Sequence, residues 1–284
     1  MPIDTQTFAI SRWWAYAGLV AVQKTPSIFS GPQVRNARVE LIAGKNQLIA
    51  IKNWLLSAQL IKKEGSLHQL TRIGKCLLDN DPRFQKSSTW WAFHLLCCLG
   101  EDAYPYNALF KALDTEIRAF TGSTDLRGKI VDDSQGLSSS TLDTYLDGVL
   151  NMFRRDGPLE GLAIVELTKN GRGSGENVSD SSSWRLGRPP VPDGAILLGL
   201  ALVRQRHYCT RTSIDFGELI SVGLHHFLTL SQDDLRQRLK SINRNDCGVS
   251  YATAANLDSI SFDHSFVIER ILVKLLQEGA DTWM

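Results

Sequence analysis

The hydrophobic positions of the chain fall mainly into runs of helical spacing, separated by short polar, glycine-bearing or proline-bearing segments. Residues 7–23 hold Phe8, Trp13, Trp14, Tyr16, Leu19, Val20 and Val22, with Arg12 and Gln23 as the main polar points, and predict a first helix. Lys24-Thr25-Pro26-Ser27 breaks it. Ser30-Gly31-Pro32 suits a second start, with Ser30 as cap and Pro32 in the first turn. That second helix, residues 32–42, carries Val34, Val39, Leu41 and Ile42 with Arg35 and Arg38 between them.

Gly44 opens a third helix, which closes at Ile61 before the basic pair Lys62-Lys63. On a helical wheel Leu48, Ile51 and Leu55 form one apolar face, and Ile49, Leu56 and Leu60 form another. Lys45, Lys52 and Gln59 form one polar stripe between them; Asn46, Asn53 and Ser57 form the other. Such a helix is clasped from two sides, unlike a recognition helix with one broad free face. Its N-terminus, with Lys45, Asn46 and the unpaired N–H groups of the first turn, is the expected exposed part and suits a phosphate. Glu64-Gly65-Ser66 reads as a turn and Leu67–Thr71 as a short strand. Helix, turn, strand and a further helix follow the order in which a winged helix-turn-helix ends.

A short helix is expected over 71–78. Residues 87–99, capped by Ser87-Ser88-Thr89, are apolar nearly all round and predict a core helix. Residues 104–120 predict another, with Phe110, Leu113, Ile117 and Phe120 inward. Thr121–Gln135, rich in Gly, Ser and Asp, marks a soft boundary. Ser140 caps a helix carrying Leu142, Tyr145, Leu146, Val149, Leu150 and Phe153. Leu162–Leu167 suits a strand or short helix, and residues 170–183 a flexible loop. Helices are expected at 193–208, 215–227, 231–242 and 263–278. The predicted fold is mainly α, with an N-terminal winged helix-turn-helix domain over 1–120 and a C-terminal helical domain over 136–284.

The net charge of +1 gives no global nucleic-acid signal. Its distribution does. Residues 1–80 hold ten Lys or Arg against the four acids Asp4, Glu40, Glu64 and Asp79, so one local face is basic. The five cysteines include no C-x-x-C pair, which argues against a disulfide framework and a zinc ribbon. The start lacks a charged n-region followed by an apolar h-region, and the longest apolar run, 195–203, is too short to span a bilayer. A cytoplasmic protein with no membrane partner is expected.

Lys45, Lys52, Lys62, Lys63 and Arg72 fall on the third helix and the wing, where a winged helix meets phosphate. Asn46 and Asn53 carry the amide that pairs with adenine edges, although Asn46 suits a helix cap equally well. A metal-dependent nuclease needs converging carboxylates. Asp79, Asp81, Glu101, Asp102, Asp132, Asp133, Asp143 and Asp147 are available, but none has a known nuclease spacing, so no catalytic or metal-ligating residue is assigned. His94 reads as a core histidine, and His225-His226 as neighbours on different faces. Gly171–Gly175 lacks the Gly-Lys-Ser/Thr ending of a phosphate loop.

Five segments carry a resemblance. They are Phe8-Ala-Ile-Ser-Arg12-Trp-Trp14, Gly18-Leu-Val-Ala-Val22, Ala43-Gly44-Lys45-Asn46 through Trp54, Leu70-Thr71-x-x-Gly74 and Thr89-Trp90-Trp91-x-x-His94. Together they resemble the SspB-like family, bacterial proteins long known only as a domain of unknown function. The resemblance implies a double-stranded-DNA-binding and strand-nicking component of a DNA phosphorothioate-modification and phage-defence system. It implies a cysteine desulfurase, an ATPase and sulfur-transfer proteins as partners. No resident cofactor is evident; Mg²⁺ or Mn²⁺ is implied if the protein nicks. The alternatives are a non-enzymatic DNA-binding adaptor for the sulfur-transfer enzymes and a winged-helix transcriptional regulator.

Overall fold

The computed structural model describes residues 3–100, 104–131, 137–169, 182–242, 248–254 and 257–278. Gly171–Gly175 and the acids Glu101, Asp102, Asp132 and Asp133 lie outside the described residues. The described chain is mainly α-helical, with one hairpin and two small antiparallel sheets.

Helix α1 (Arg12–Lys24) starts where the Ser11 hydroxyl accepts the Trp14 N–H at 3.1 Å. The periodicity that predicts a helix from residue 7 is overruled by the backbone. Gln6 and Thr7 have φ of 48° and 65°, left-handed values that a right-handed helix cannot contain. Residues 3–10 instead form a strap. The Asn53 and Asn151 amides donate to its Asp4 and Thr7 carbonyls at 2.9 and 2.8 Å, and the Trp54 indole N–H donates to its Phe8 carbonyl at 2.8 Å.

A 3₁₀ turn (Gly31–Gln33) leads into α2 (Val34–Glu40), followed by α3 (Lys45–Ser57), strands β1 (Ile61–Glu64) and β2 (Leu67–Leu70), and α4 (Arg72–Asn80). Helix α3 ends earlier than its apolar pattern predicts, because Gln59 adopts φ 54° and reverses the chain. The basic pair Lys62-Lys63 therefore lies within strand β1. The strands are antiparallel, with Lys63 opposite His68, and Gly65 supplies the positive φ of 62° that their tight turn requires. The Thr71 hydroxyl donates to the Gln59 carbonyl at 2.6 Å and accepts the Gly74 N–H at 3.0 Å. A Cβ on Gly74 would lie 2.0 Å from the Leu60 carbonyl oxygen, so only glycine lets α4 dock where the hairpin begins.

Helices α5 (Ser87–Leu99) and α6 (Tyr106–Ala112) follow. The helix predicted over 104–120 stops at Ala112. The Asp114 carboxylate accepts the Glu116 and Ile117 N–H groups at 2.6 and 2.8 Å, a local turn that competes with helix. Ile117 and Phe120 are exposed as a result, not inward. The stretch expected as a soft boundary holds β3 (Thr121–Gly122) and α7 (Ser123–Val131). Helix α8 (Ser139–Asn151) is capped by Ser138, whose hydroxyl accepts the Thr141 N–H at 3.2 Å, two residues before the expected cap.

The remaining elements are β4 (Val165–Lys169), β5 (Ser182–Leu186), α9 (Asp193–His207), β6 (Ser213–Asp215), α10 (Phe216–Val222), α11 (Leu224–Phe227), α12 (Gln232–Ile242), β7 (Val249–Ala254), β8 (Leu257–Phe262) and α13 (Ile268–Glu278). The expectation of a helical C-terminal domain, with a strand or short helix only at Leu162–Leu167, is corrected by two antiparallel sheets, ordered β3-β5-β4 and β6-β8-β7, with β4 overlapping that segment. Val249 and Tyr251, like Ile260 and Phe262, are buried with polar residues between them, the period of a half-buried strand. Gly223, at φ 91°, splits the helix predicted over 215–227 into α10 and α11. The buried apolar residues form one cluster running from Ile3 to Leu276. Helix α5, buried on every side as its composition predicts, packs against α9 and α13, and α13 also covers α4.

Candidate nucleic-acid interface

The second apolar face of α3 ends at a groove. Its walls are the loop and 3₁₀ turn around Phe29 and Pro32, the C-terminal half of α3, and the β1–β2 hairpin, and they enclose about 1080 Å³. Lys52 and Asn53 line it from α3, and Lys62 and Lys63 from β1. No aspartate or glutamate lines it. Four of the seven sequence-predicted site residues thus converge on one concave, cationic surface.

The other three are placed differently. Lys45 and Asn46 are exposed on the first turn of α3, outside the groove. Gly44, not Asn46, occupies the cap position, and its N–H donates to the Gln47 side-chain oxygen at 2.7 Å. Arg72 lies beside a separate cleft, 3.9 Å from the Glu269 carboxylate of α13. Within the groove, Lys62 is paired with Glu64, while the Asn53 amide N–H is spent on the strap.

Two groove residues escape the sequence reading. Phe29 and His68 meet edge to face, with ring centroids 5.8 Å apart and planes at 87°. His68 is 4% exposed, and its Nδ1 has no hydrogen-bond partner among the described residues. Burial, then the charges of Lys52 and Lys63, lower its pKa below 6.5 and favour the neutral ring. The only sequence signal is the pairing that a short hairpin forces between Lys63 and His68.

The groups that acid–base or metal chemistry would need are engaged elsewhere. The buried Asp81 carboxylate accepts the Gln85 and Lys86 N–H groups at 3.1 and 2.9 Å and the Thr89 hydroxyl at 2.6 Å. Asp143 and Asp147 share Arg127, at 3.4 and 3.2 Å. No three His, Cys, Asp or Glu side chains converge among the described residues. His225 and His226, expected on different faces, bring their rings together with centroids 4.0 Å apart.

His94 lies in the core, with Nδ1 2.9 Å from the Tyr106 hydroxyl and Nε2 2.7 Å from the Phe227 carbonyl. The carbonyl can only accept, so Nε2 carries the proton and Nδ1 accepts from Tyr106. Burial lowers the pKa from 6.5 to about 4. The unfolded chain therefore binds a proton between those values and the folded chain does not. Stability from this group is complete above pH 6.5 and declines as pH falls toward 4. His225, lowered by burial to about 4 as well, acts in the same direction, so urea titrations should give a stability lower by at least about 2 kcal/mol at about pH 5 than at about pH 7.5. A flat profile across that range would show that His94 opens to solvent.

The fold is shared with solved structures. One described as a magnesium ion-bound SspB crystal structure is 18% identical, with a TM-score of 0.74, and the match covers 97% of this chain and 86% of that one. A second, described as an SspB crystal structure, is 19% identical with the same TM-score and coverage. No curated protein matches the sequence. Residues 4–275 match a single family throughout, and the chain belongs to it: the proteins described as Protein of unknown function (DUF4007).

Proposed function

We propose that the protein is a DNA-binding component of a DNA phosphorothioate-modification system, which holds duplex DNA through its phosphates at the α3–hairpin groove and its rim. The observation that carries the reading is the convergence of Lys52, Lys62 and Lys63 on a concave surface that no carboxylate lines. Phosphate contacts need available cations; among the described residues no acid pairs with Lys52 or Lys63, and Lys62 exchanges its Glu64 partner for a phosphate. The order α1, α2, α3, β1, β2 is that of a winged helix, and supports a wing contact by β1–β2. The buried Leu48, Ile51 and Leu55 face of α3 argues for contact through its ends and the wing, not along its length. The pathway assignment is supported by the fold shared with SspB, and the family resemblance carried by residues 8–94 implies a cysteine desulfurase, an ATPase and sulfur-transfer proteins as partners.

Strand nicking is the second reading, favoured by the magnesium ion in one of the SspB structures. Magnesium is held by one or two carboxylates together with substrate phosphates. Asp81 is spent on capping and Asp143 and Asp147 on Arg127, so these three offer no such site and no step through a metal is derived.

Fluorescence anisotropy with a labelled duplex across a salt series tests the reading. The logarithm of affinity should fall with the logarithm of salt with a slope of roughly −3, three lysines each releasing about one counterion. Salt-independent binding, or none, discards it. Supercoiled plasmid incubated with Mg²⁺ or Mn²⁺ separates the two versions: open circles establish nicking, and their absence leaves the adaptor.

A further inference from the structure

Contact with duplex phosphates needs only exposed cations on a surface that the backbone can reach. The groove offers more than that. Its volume of about 1080 Å³ reaches the range of pockets that hold a small molecule. Besides the lysines it is lined by Phe29, His68, Leu56 and Ile61. Duplex backbone has nothing to place against them. His68 adds a second observation: a ring 4% exposed that lines the groove, its Nδ1 buried and unpartnered among the described residues. An unsatisfied buried polar atom costs about 1–3 kcal/mol, a penalty removed when the ring turns its Nδ1 to a hydrogen-bonding occupant.

We propose that the groove takes one unstacked nucleotide of the bound DNA, its base against Phe29 and His68 and its flanking phosphates on Lys52, Lys62 and Lys63. The proposal rests on the DNA-binding reading above and specifies what the same site holds. The chemistry is matched at both ends of the occupant. Aromatic faces and basic grooves are how proteins hold unpaired bases of any sequence. The three lysines supply the charge for a strand leaving the duplex. An unpaired base has already lost its stacking, so it enters at lower cost than a paired one.

The test compares a labelled duplex with the same duplex carrying one bulged nucleotide, by anisotropy at fixed salt, using the full chain. The bulged duplex should bind roughly tenfold more tightly. Ser66→Trp, an exposed turn residue at the groove, should abolish that preference by filling the space. His68→Ala should also reduce the preference. Equal affinity for the two duplexes, or a preference that survives Ser66→Trp, overturns the proposal and leaves the DNA-binding reading standing. Failure to bind either duplex overturns both. Equal duplex affinities with saturable binding of adenosine monophosphate would make the groove a mononucleotide site, which also overturns it.

Discussion

A variant carrying Lys52→Ala, Lys62→Ala and Lys63→Ala is expected to bind duplex DNA roughly a hundredfold more weakly than the parent at fixed moderate salt, with an unchanged unfolding temperature. The magnitude follows from about 1 kcal/mol for each lost phosphate contact, hence about two decades in affinity for three. The slope of affinity against salt should flatten by about 3 at the same time. Stability should hold because Lys62 and Lys63 are exposed on β1 and Lys52 is only partly buried. Arg72→Ala is the control that distinguishes a groove from a diffuse basic surface. Arg72 lies by a different cleft, facing Glu269, and its loss should change affinity by less than about threefold. Equal effects from Arg72 and the lysines, measured on the same duplex, would show that the charge acts as a field and not as a site.

That partition was not visible in the chain's order. The sequence places Lys45, Lys52, Lys62, Lys63 and Arg72 on one motif, and each does lie in or beside α3, the hairpin or α4. What one dimension hides is direction. Gln59, in a left-handed conformation, turns the chain after α3, so β1 carries Lys62 and Lys63 back beside Lys52, while α4 takes Arg72 away toward α13. The aromatic groove residues were harder still to find. Phe29 precedes the second helix and His68 lies on strand β2, and nothing local marks either as facing a shared space. Elsewhere the legible elements are those with a strong period and a clear end. Helix α5 is apolar all round and buried all round, and α9 matches its predicted span within a residue. The failures are of two kinds. At residues 7–10 and 113–120, backbone conformation or a local side-chain turn overrode a predicted helix, and the strands at 249–254 and 257–262 fall between predicted helices.

The strap is where this matters most, because one of its anchors is also a central core side chain. Trp54 is fully buried, lies 5.9 Å from Tyr106 and 6.3 Å from Phe93 by ring centroid, and donates its indole N–H to the Phe8 carbonyl at 2.8 Å. Trp54→Ala removes the core volume and leaves that carbonyl unpaired, for a loss of about 5 kcal/mol, most of it from the cavity. This is comparable with the whole stability of many domains, so the variant should unfold at a much lower urea concentration, or fail to accumulate as folded protein. Trp54→Phe isolates the hydrogen bond. It keeps most of the ring packing, should cost about 1–3 kcal/mol, and should remain folded. Asn53, the next residue on α3, still holds the strap through Asp4 and still lines the groove, so Trp54→Phe should keep duplex affinity within about twofold. In hydrogen exchange, the amides of residues 3–10 should lose protection in Trp54→Phe before those of α3. A uniform loss across both would mean that the strap and α3 open as one unit, with Trp54 acting through general core packing. A selective loss at the strap, with the groove still binding, would separate the residue that secures the N-terminal segment from the neighbours on the same helix that face DNA.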